Sequence, residues 1–127
     1  MTTPEVSVFI VKPDAFARRH DLIARTLIND NNLTIDEEFI LTISREQTSQ
    51  FYEYNQTSEL FPQLVDYVSS GPSVIWKVSG ENCYQVLNQV KKQLRVNLAY
   101  DDFYTGFHSS DDQESAIREL KILNLLT

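Results

Sequence analysis

One histidine, one lysine and one arginine are the residues of this chain best suited to phosphate chemistry. His108 stands directly before a strong helix-start signal, Lys12 follows an apolar run, and Arg95 lies near the end of a predicted helix. A free imidazole has an ordinary pKa near ~6.5, so much of it is neutral and nucleophilic at physiological pH. Ammonium and guanidinium groups hold phosphate oxygens. The three residues together predict a site that binds or transfers phosphate.

Glu119 strengthens the interpretation of His108 as a nucleophile. It lies about two turns inside the next predicted helix, so its carboxylate is expected to point back at the imidazole, fix its tautomer and leave the other ring nitrogen free. Taken singly, each residue has an ordinary alternative: a histidine satisfied by a backbone carbonyl, a surface Lys12 at a strand end, and an Arg95 on a solvated helix end. No glycine loop follows Lys12, which excludes a P-loop.

The composition restricts the class of ligand. The chain has 127 residues, 42% of them hydrophobic, which suits one domain with its own core. Its formal net charge of −7 argues against a long nucleic-acid track, whereas a small anion fits where a few cations converge. Cys83 is the only cysteine, which favours a reducing compartment such as the cytoplasm. No apolar run has the length of a membrane span, and no signal-peptide pattern is present.

The hydrophobic pattern predicts the elements that position these residues. Strands are predicted over residues 6–11, 33–44, 73–78 and 103–108. Helices are predicted over residues 15–27, 45–54, 59–68, 81–94 and 113–123. The last is opened by Ser110, Asp111 or Asp112, with Glu114 in capping-box position after Asp111. Lys12 then lies at the carboxyl end of the first strand, where open sheets tend to place ligands. The order predicts an α+β ferredoxin-like sandwich, with a four-stranded antiparallel sheet and helices on one face.

Several stretches together resemble the nucleoside diphosphate kinase family over nearly the whole chain. They are Phe9-Ile10-Val11-Lys12-Pro13-Asp14-Ala15, Ser70-Gly71-Pro72 and the run from His108 to Ala116, and their order and spacing also fit. The resemblance implies one kinase-like domain over residues 1–127. It implies transfer of the terminal phosphate of a nucleoside triphosphate to a nucleoside diphosphate through a phosphohistidine.

Carried over by position, the resemblance assigns a role to each candidate residue. The catalytic residues would be His108 as the nucleophile, Glu119 as its orienting carboxylate, and Lys12. The nucleotide would be held by Lys12, Tyr52, Leu60, Arg95 and Thr105, with Ser110 and Asp111 in support. Mg²⁺ would arrive with the nucleotide phosphates and bridge their oxygens, and no carboxylate cluster resembles a protein-built metal site.

The sequence departs from the family pattern at several positions. The aromatic base clamp is replaced by Leu60, a second phosphate-binding arginine by Asn88, the ribose-binding asparagine by Thr105, and the glycine after the histidine by Ser109. The chain between Asn88 and Arg95 is much shorter than in typical members, as in divergent branches found in cilia. Because each lost charged hydrogen bond costs about 1.5–3 kcal/mol, these changes predict weak nucleotide binding with the nucleophile retained.

Two further functions compete with the kinase interpretation. One is a catalytically impaired module on the same fold that serves binding or assembly, for example in a ciliary complex. The other is an RNA-binding sheet, which the −7 charge opposes. The family resemblance also implies subunit association, so a homodimer or higher oligomer is expected, with nucleoside di- and triphosphates as ligands and neither nucleic acid nor membrane as a partner.

Overall fold

The computed structural model describes residues 5–126, which form four strands and six α-helices. The strands are β1 (Glu5–Val11), β2 (Thr34–Thr42), β3 (Pro72–Gly80) and β4 (Phe107–Ser109). The helices are α1 (Pro13–Ala17), α2 (Asp21–Asp30), α3 (Arg45–Phe51), α4 (Phe61–Val68), α5 (Cys83–Leu98) and α6 (Gln113–Ile122). A 3-10 turn, Glu53–Asn55, lies between α3 and α4. None of these helices is long and apolar enough to cross a lipid bilayer.

The strands form one antiparallel sheet in the order β2-β3-β1-β4, which confirms the predicted ferredoxin-like arrangement. β1 is central and is paired on both sides: Ile10 stands opposite Ile75 of β3 and opposite His108 of β4. His108 is therefore paired with a residue of β1 that lies two positions before Lys12.

The helices cover both faces of the sheet, so the prediction of helices on one face was wrong. Phe9 and Val11 of β1 belong to a core that includes α2 and α5, whereas Val8 and Ile10 belong to a second core that includes α3, α4 and α6. Successive side chains of a strand point to opposite faces. Because all four of these residues are apolar, both faces of β1 must be covered.

The helix predicted over residues 15–27 is two helices. α1 begins at Pro13, whose fixed φ suits a first helical position, and it ends at Ala17 with Arg18 as the C-cap. Arg19 then adopts a positive φ of 59° and its guanidinium bonds both carboxylate oxygens of Asp21, the first residue of α2. The ion pair accompanies the turn between α1 and α2. No glycine or proline lies in that turn, so the sequence pattern did not predict where α1 ends.

Two elements next to the candidate site differ in extent from the prediction. β4 has only three residues and begins at Phe107, because residues 99–106 form the connection from α5. Asn88 and Arg95 both lie within α5, so the segment between them is helix rather than a trimmed loop. At the start of α6, Asp112, one of the three predicted helix-start residues, is the N-cap and accepts a hydrogen bond from the Ser115 N–H, so the predicted capping box between Asp111 and Glu114 is absent.

Candidate active site

His108 is oriented by a buried carboxylate. It lies in the middle of β4, and its Nε2 is 2.9 Å from Glu119 Oε1 on α6. The same carboxylate oxygen accepts a 2.7 Å hydrogen bond from Ser110 Oγ. The imidazole packs edge-on against Phe51, with ring centroids 5.0 Å apart. Among the described residues Nδ1 makes no hydrogen bond, and the side chain is 18% exposed, so this nitrogen is the one free to react.

The start of α6 explains how Glu119 reaches the histidine. The chain leaves β4 at Ser110, whose N–H bonds the Val8 carbonyl of the neighbouring strand, and α6 follows from the cap at Asp112. Glu119 lies on the same buried face of α6 as Ala116 and Leu120, because residues three and four apart lie side by side on a helix. That face packs on the sheet beneath His108, as the sequence predicted for this pair.

Lys12 is buried at the junction of β1 and α1. Its Nζ donates a 3.2 Å hydrogen bond to Thr105 Oγ1 and lies 5.4 Å from the centre of the Tyr67 ring. Its backbone N–H bonds the Gly106 carbonyl at 2.8 Å, which ties the end of β1 to the segment before β4. Burial, and then the positive charge of Arg95, lower the pKa of Lys12 to about 7. The structure therefore brings Lys12 and Thr105 together, as predicted.

Tyr67 supports this junction and was not identified from the sequence. Its hydroxyl donates to Asp14 Oδ1 at 2.7 Å and accepts from the Gly106 N–H at 3.0 Å. Burial and the bonded Asp14 carboxylate raise the pKa of Tyr67 far above its usual value, so the hydroxyl keeps its proton. A positive φ of 81° at Gly106, with Ala15 3.2 Å from where a Cβ would stand, restricts that position to glycine.

Arg95 connects α5 to β4 directly beside the histidine. Its Nη2 donates a 2.6 Å hydrogen bond to the carbonyl of Phe107, the residue before His108, while its buried Nε has no partner among the described residues. Burial lowers the pKa of Arg95, and nearby Tyr52 and Tyr67 oppose that shift. The guanidinium thus stands near both Lys12 and Tyr52, with donor capacity left for a ligand.

Lys91 is a second cation on this face of α5, and the sequence pattern alone does not distinguish it from the exposed Lys92. Lys91 is buried, with 9% of its surface exposed, and lies one turn before Arg95. Burial and the charge of Arg95 lower its pKa, and Asp111 and Glu119 lie near enough to raise it. The four-residue spacing of Lys91 and Arg95 was the available signal, because such residues share a helix face.

The remaining predicted residues are distributed unevenly around the histidine. Tyr52 is partly buried against Phe51, and burial followed by the charge of Glu119 raises its pKa. Asp111 is exposed at the start of α6. Leu60 is 53% exposed at the N-terminal end of α4, and its backbone N–H bonds Ser58 Oγ. Tyr52 is therefore grouped with Glu119 and Arg95, whereas among residues 5–126 no hydrogen bond connects Leu60 to the histidine.

The site is identified by its charges rather than by a large cavity. A cleft of about 820 Å³ adjoins it and includes Asp14 and Tyr67 in its lining, but His108, Lys12 and Arg95 do not line it. Within residues 5–126, no cluster of three or more His, Cys, Asp or Glu side chains could hold a metal ion. Three cations and one carboxylate-bound imidazole in a chain of net charge −7 fit an anionic ligand.

Known proteins match the chain along nearly its whole length. The sequence profile of a family described as nucleoside diphosphate kinase matches residues 5–124. A nucleoside diphosphate kinase of Lawsonia intracellularis (strain PHE/MN1-00) is 31% identical over 121 residues, which make up 87% of this chain and 88% of that protein.

Solved structures share the fold at lower identity. The apo nucleoside diphosphate kinase of Encephalitozoon cuniculi superposes with a TM-score of 0.88 at 20% identity, covering 93% of this chain and 87% of that chain. A transition-state mimic of the Borrelia burgdorferi enzyme with bound vanadate and ADP gives a TM-score of 0.83 at 19% identity, covering 94% and 86%. These structures support the common architecture.

Proposed function

The chain belongs to the nucleoside diphosphate kinase family, and on that premise we propose that it transfers the terminal phosphate of a nucleoside triphosphate to a nucleoside diphosphate through a phosphohistidine at His108. The observation that carries the proposal is the 2.9 Å contact between His108 Nε2 and Glu119, which leaves Nδ1 unbonded among the described residues and the side chain partly open to solvent. A carboxylate on one imidazole nitrogen makes the other a directed nucleophile.

In the first half-reaction the lone pair of Nδ1 attacks the γ-phosphorus of the nucleoside triphosphate. The N–P bond forms as the bond from that phosphorus to the β–γ bridging oxygen breaks, and the electron pair leaves with the nucleoside diphosphate. The ring gains positive charge as the bond forms. The proton on Nε2 stays on the ring and makes a hydrogen bond to Glu119, whose negative charge stabilises the phosphorylated imidazole.

The second half-reaction reverses these steps with another nucleoside diphosphate. An oxygen of its β-phosphate attacks the phosphorus, and the N–P bond breaks to return the electron pair to Nδ1. Ser110 Oγ donates to the same Glu119 oxygen, so the carboxylate keeps its place through both steps. One site therefore serves donor and acceptor in turn.

Lys12 and Arg95 are the proposed phosphate ligands, with Thr105 and Tyr52 beside the sugar and phosphates and Leu60 against the base. Burial lowers the pKa of Lys12 to about 7, and a bound phosphate raises it again because an opposite charge favours the ammonium. Mg²⁺ fits as part of the nucleotide substrate, since Glu119 is occupied by His108 and Ser110. Bound in that way, it would supply positive charge that neutralises the phosphate groups.

Labelling tests this function directly. The protein is incubated with γ-labelled ATP and Mg²⁺, and an acid-labile, alkali-stable label is expected on the wild type and on His20→Ala. His20 is the only other histidine and serves as the matched control. His108→Ala is expected to take up no label, and equal labelling of this variant would refute the proposal.

A second candidate is a binding or assembly module without useful turnover. It is favoured by the half-exposed Leu60, which has no aromatic ring to stack on a base. Calorimetric titration separates the two functions, because absence of heat with every Mg-nucleotide tested would support the module, whereas binding together with a His108 label supports the enzyme.

We propose a homodimer or higher oligomer in the cytoplasm, with a ciliary location as the alternative. β2 is an edge strand of the sheet, and Ile40 on it is 59% exposed. An exposed edge strand offers unpaired backbone groups to another chain. Analytical ultracentrifugation tests this association, and a single species at the monomer mass of 14.7 kDa would contradict it.

A further inference from the structure

Lys91 has a largely buried side chain, and among the described residues its ammonium has no counter-ion in contact. It is 9% exposed, and among the described residues its ammonium takes part in no hydrogen bond and no salt bridge within 4.0 Å. Lysine is almost never buried unless it is paired, because removing an ammonium from water is costly. Lys92, the next residue, is exposed and shows what the same side chain does on the solvent face of α5.

Lys91 belongs to the charge cluster around His108 by its position in the fold. It lies one turn before Arg95, which bonds the carbonyl preceding His108. Its charge lowers the pKa of Lys12, and the carboxylates of Asp111 and Glu119 raise the pKa of Lys91. Glu119 is held by His108 and Ser110, and Asp111 is exposed, so neither forms an ion pair with Lys91.

Lys12, Lys91 and Arg95 carry like charges in a partly buried site and therefore repel one another. Burial and this repulsion lower the pKa values of both lysines. An anion of high charge density placed among them would offset the repulsion and supply the missing hydrogen-bond acceptors. A di- or triphosphate chain has several oxygens for such a set of donors, and the Coulomb attraction is strong where water is partly excluded. A carboxylate ligand would bring one charge to three cations and leave most of the repulsion in place.

We infer that Lys91 is a further phosphate-binding residue, which together with Arg95 forms a two-cation clamp on α5 beside His108. The inference rests on the proposed function and adds a residue to its site. Lys91 contacts the phosphate chain of the nucleotide, whereas Lys92 contributes only to the general charge of the surface.

The test is calorimetric titration of the full chain with inorganic pyrophosphate and, separately, with ADP and Mg²⁺. Pyrophosphate has no base or ribose, so it isolates the phosphate contribution. Lys91→Gln is expected to weaken both ligands by at least about tenfold, because a charged hydrogen bond is lost. Lys92→Gln, which makes the same change of charge one residue away, is expected to change either affinity by less than about twofold. Lys91→Arg should retain most of the binding.

Thermal unfolding accompanies the titrations. If Lys91 acted only in the fold, its substitution would weaken binding and lower the unfolding temperature together. Lys91→Met removes an unpaired charge from a largely buried position, so it is expected to unfold at the wild-type temperature or above while its binding is weak. If Lys91→Gln does not fold, Lys91→Met, which keeps the apolar stem, replaces it in the comparison with Lys92→Gln.

The outcomes separate this inference from the proposed function. Equal affinities for the Lys91 and Lys92 variants, in a protein whose His108 takes up label, overturn the role of Lys91 alone. A wild type that binds pyrophosphate but takes no label overturns the enzymatic function, and a loss of binding confined to the Lys91 variants still supports the clamp. A wild type that binds neither pyrophosphate nor Mg-ADP overturns both.

Discussion

The Nζ of Lys12 and the Oγ1 of Thr105 are 3.2 Å apart, and this hydroxyl is the sole hydrogen-bond partner of the ammonium among the described residues. A neutral hydroxyl compensates a buried charge less well than a carboxylate does. Burial and the positive charge of Arg95 therefore lower the pKa of Lys12 to about 7. The lysine that is expected to hold phosphate is thus close to its midpoint of protonation in the free protein.

Binding of ADP with Mg²⁺ at pH 8 is expected to take up close to one proton. Lys12 is largely neutral at that pH in the free protein, because its pKa is about 7, and the bound phosphate restores the charge. Titrations in two buffers of different ionisation enthalpy measure the uptake. At pH 6 the uptake should be small, since Lys12 is already charged, and Lys12→Gln should abolish it at both pH values. Identical heats in the two buffers at pH 8 would contradict this account.

Lys12→Met is expected to stabilise the free protein most at low pH. The pKa of Lys12 is about 7 in the folded chain and 10.5 as an ordinary lysine, so between these values the unfolded chain binds more protons. The free energy of unfolding of the wild type therefore rises with pH in this window. Below pH 7 the full cost of the buried charge is present, and above pH 10.5 it is absent. Urea unfolding of both proteins at pH 6 and pH 9.5 measures the difference, which should shrink at the higher pH, and a gap independent of pH would refute the assignment.

The local pattern was sufficient for most of the fold because the informative residues act locally. The apolar run of β1 and the spacing of His108 and Glu119 each determine structure within a few turns of chain. The two-sided burial of the sheet was missed although the unbroken run Val8-Phe9-Ile10-Val11 indicates it, since a strand with one covered face alternates apolar and polar residues.

Long-range contacts explain what the sequence could not predict. Tyr67 reaches Asp14 and Gly106 from a distant helix, and no spacing rule connects the three. Lys91 follows Val90 on α5 at the border between the buried and exposed faces, so the helical pattern does not determine whether its side chain is buried. Contacts between side chains that are distant in sequence can be identified only once the order of the strands is known.

Glu119→Gln is expected to lower the rate of His108 phosphorylation by about ten- to a hundredfold. The amide keeps the shape of the side chain but removes the charge that stabilises the phosphorylated ring, and a hydrogen bond to a charged group is worth about 1.5–3 kcal/mol. Single-turnover labelling measures the rate. Ser110→Ala serves as the comparison, because it removes the second donor to the same oxygen and leaves the carboxylate on His108. An effect of Ser110→Ala equal to that of Glu119→Gln would mean that position, and not charge, is what Glu119 supplies.

Tyr67→Phe is expected to lower the free energy of unfolding by about 1–3 kcal/mol, because it leaves Asp14 Oδ1 and the Gly106 N–H without their common partner. Since Gly106 holds the backbone of Lys12, nucleotide affinity should fall as well. Tyr54→Phe is the matched control, because Tyr54 is 78% exposed and should change stability by less than about 0.5 kcal/mol. Denaturant unfolding and nucleotide titration measure the two effects. Equal stability of the two variants would show that the Tyr67 hydroxyl contributes nothing to the junction.

Leu60→Phe is expected to tighten nucleotide binding without altering the fold. Leu60 is 53% exposed at the start of α4, so a larger ring can be accommodated there without displacing core residues. An aromatic face stacks on a base more favourably than an aliphatic side chain does, and such a pair adds about 0.5–1.5 kcal/mol, which corresponds to a two- to tenfold lower Kd.

Pyrophosphate lacks a base, so its affinity for the Leu60→Phe variant should stay the same, and this makes it the internal control. Calorimetry with Mg-ADP and with pyrophosphate measures both quantities on wild type and variant. An unchanged Kd for ADP would place the base away from Leu60 and would remove this residue from the proposed site, while a parallel change in both ligands would indicate an indirect effect on the phosphate-binding cations.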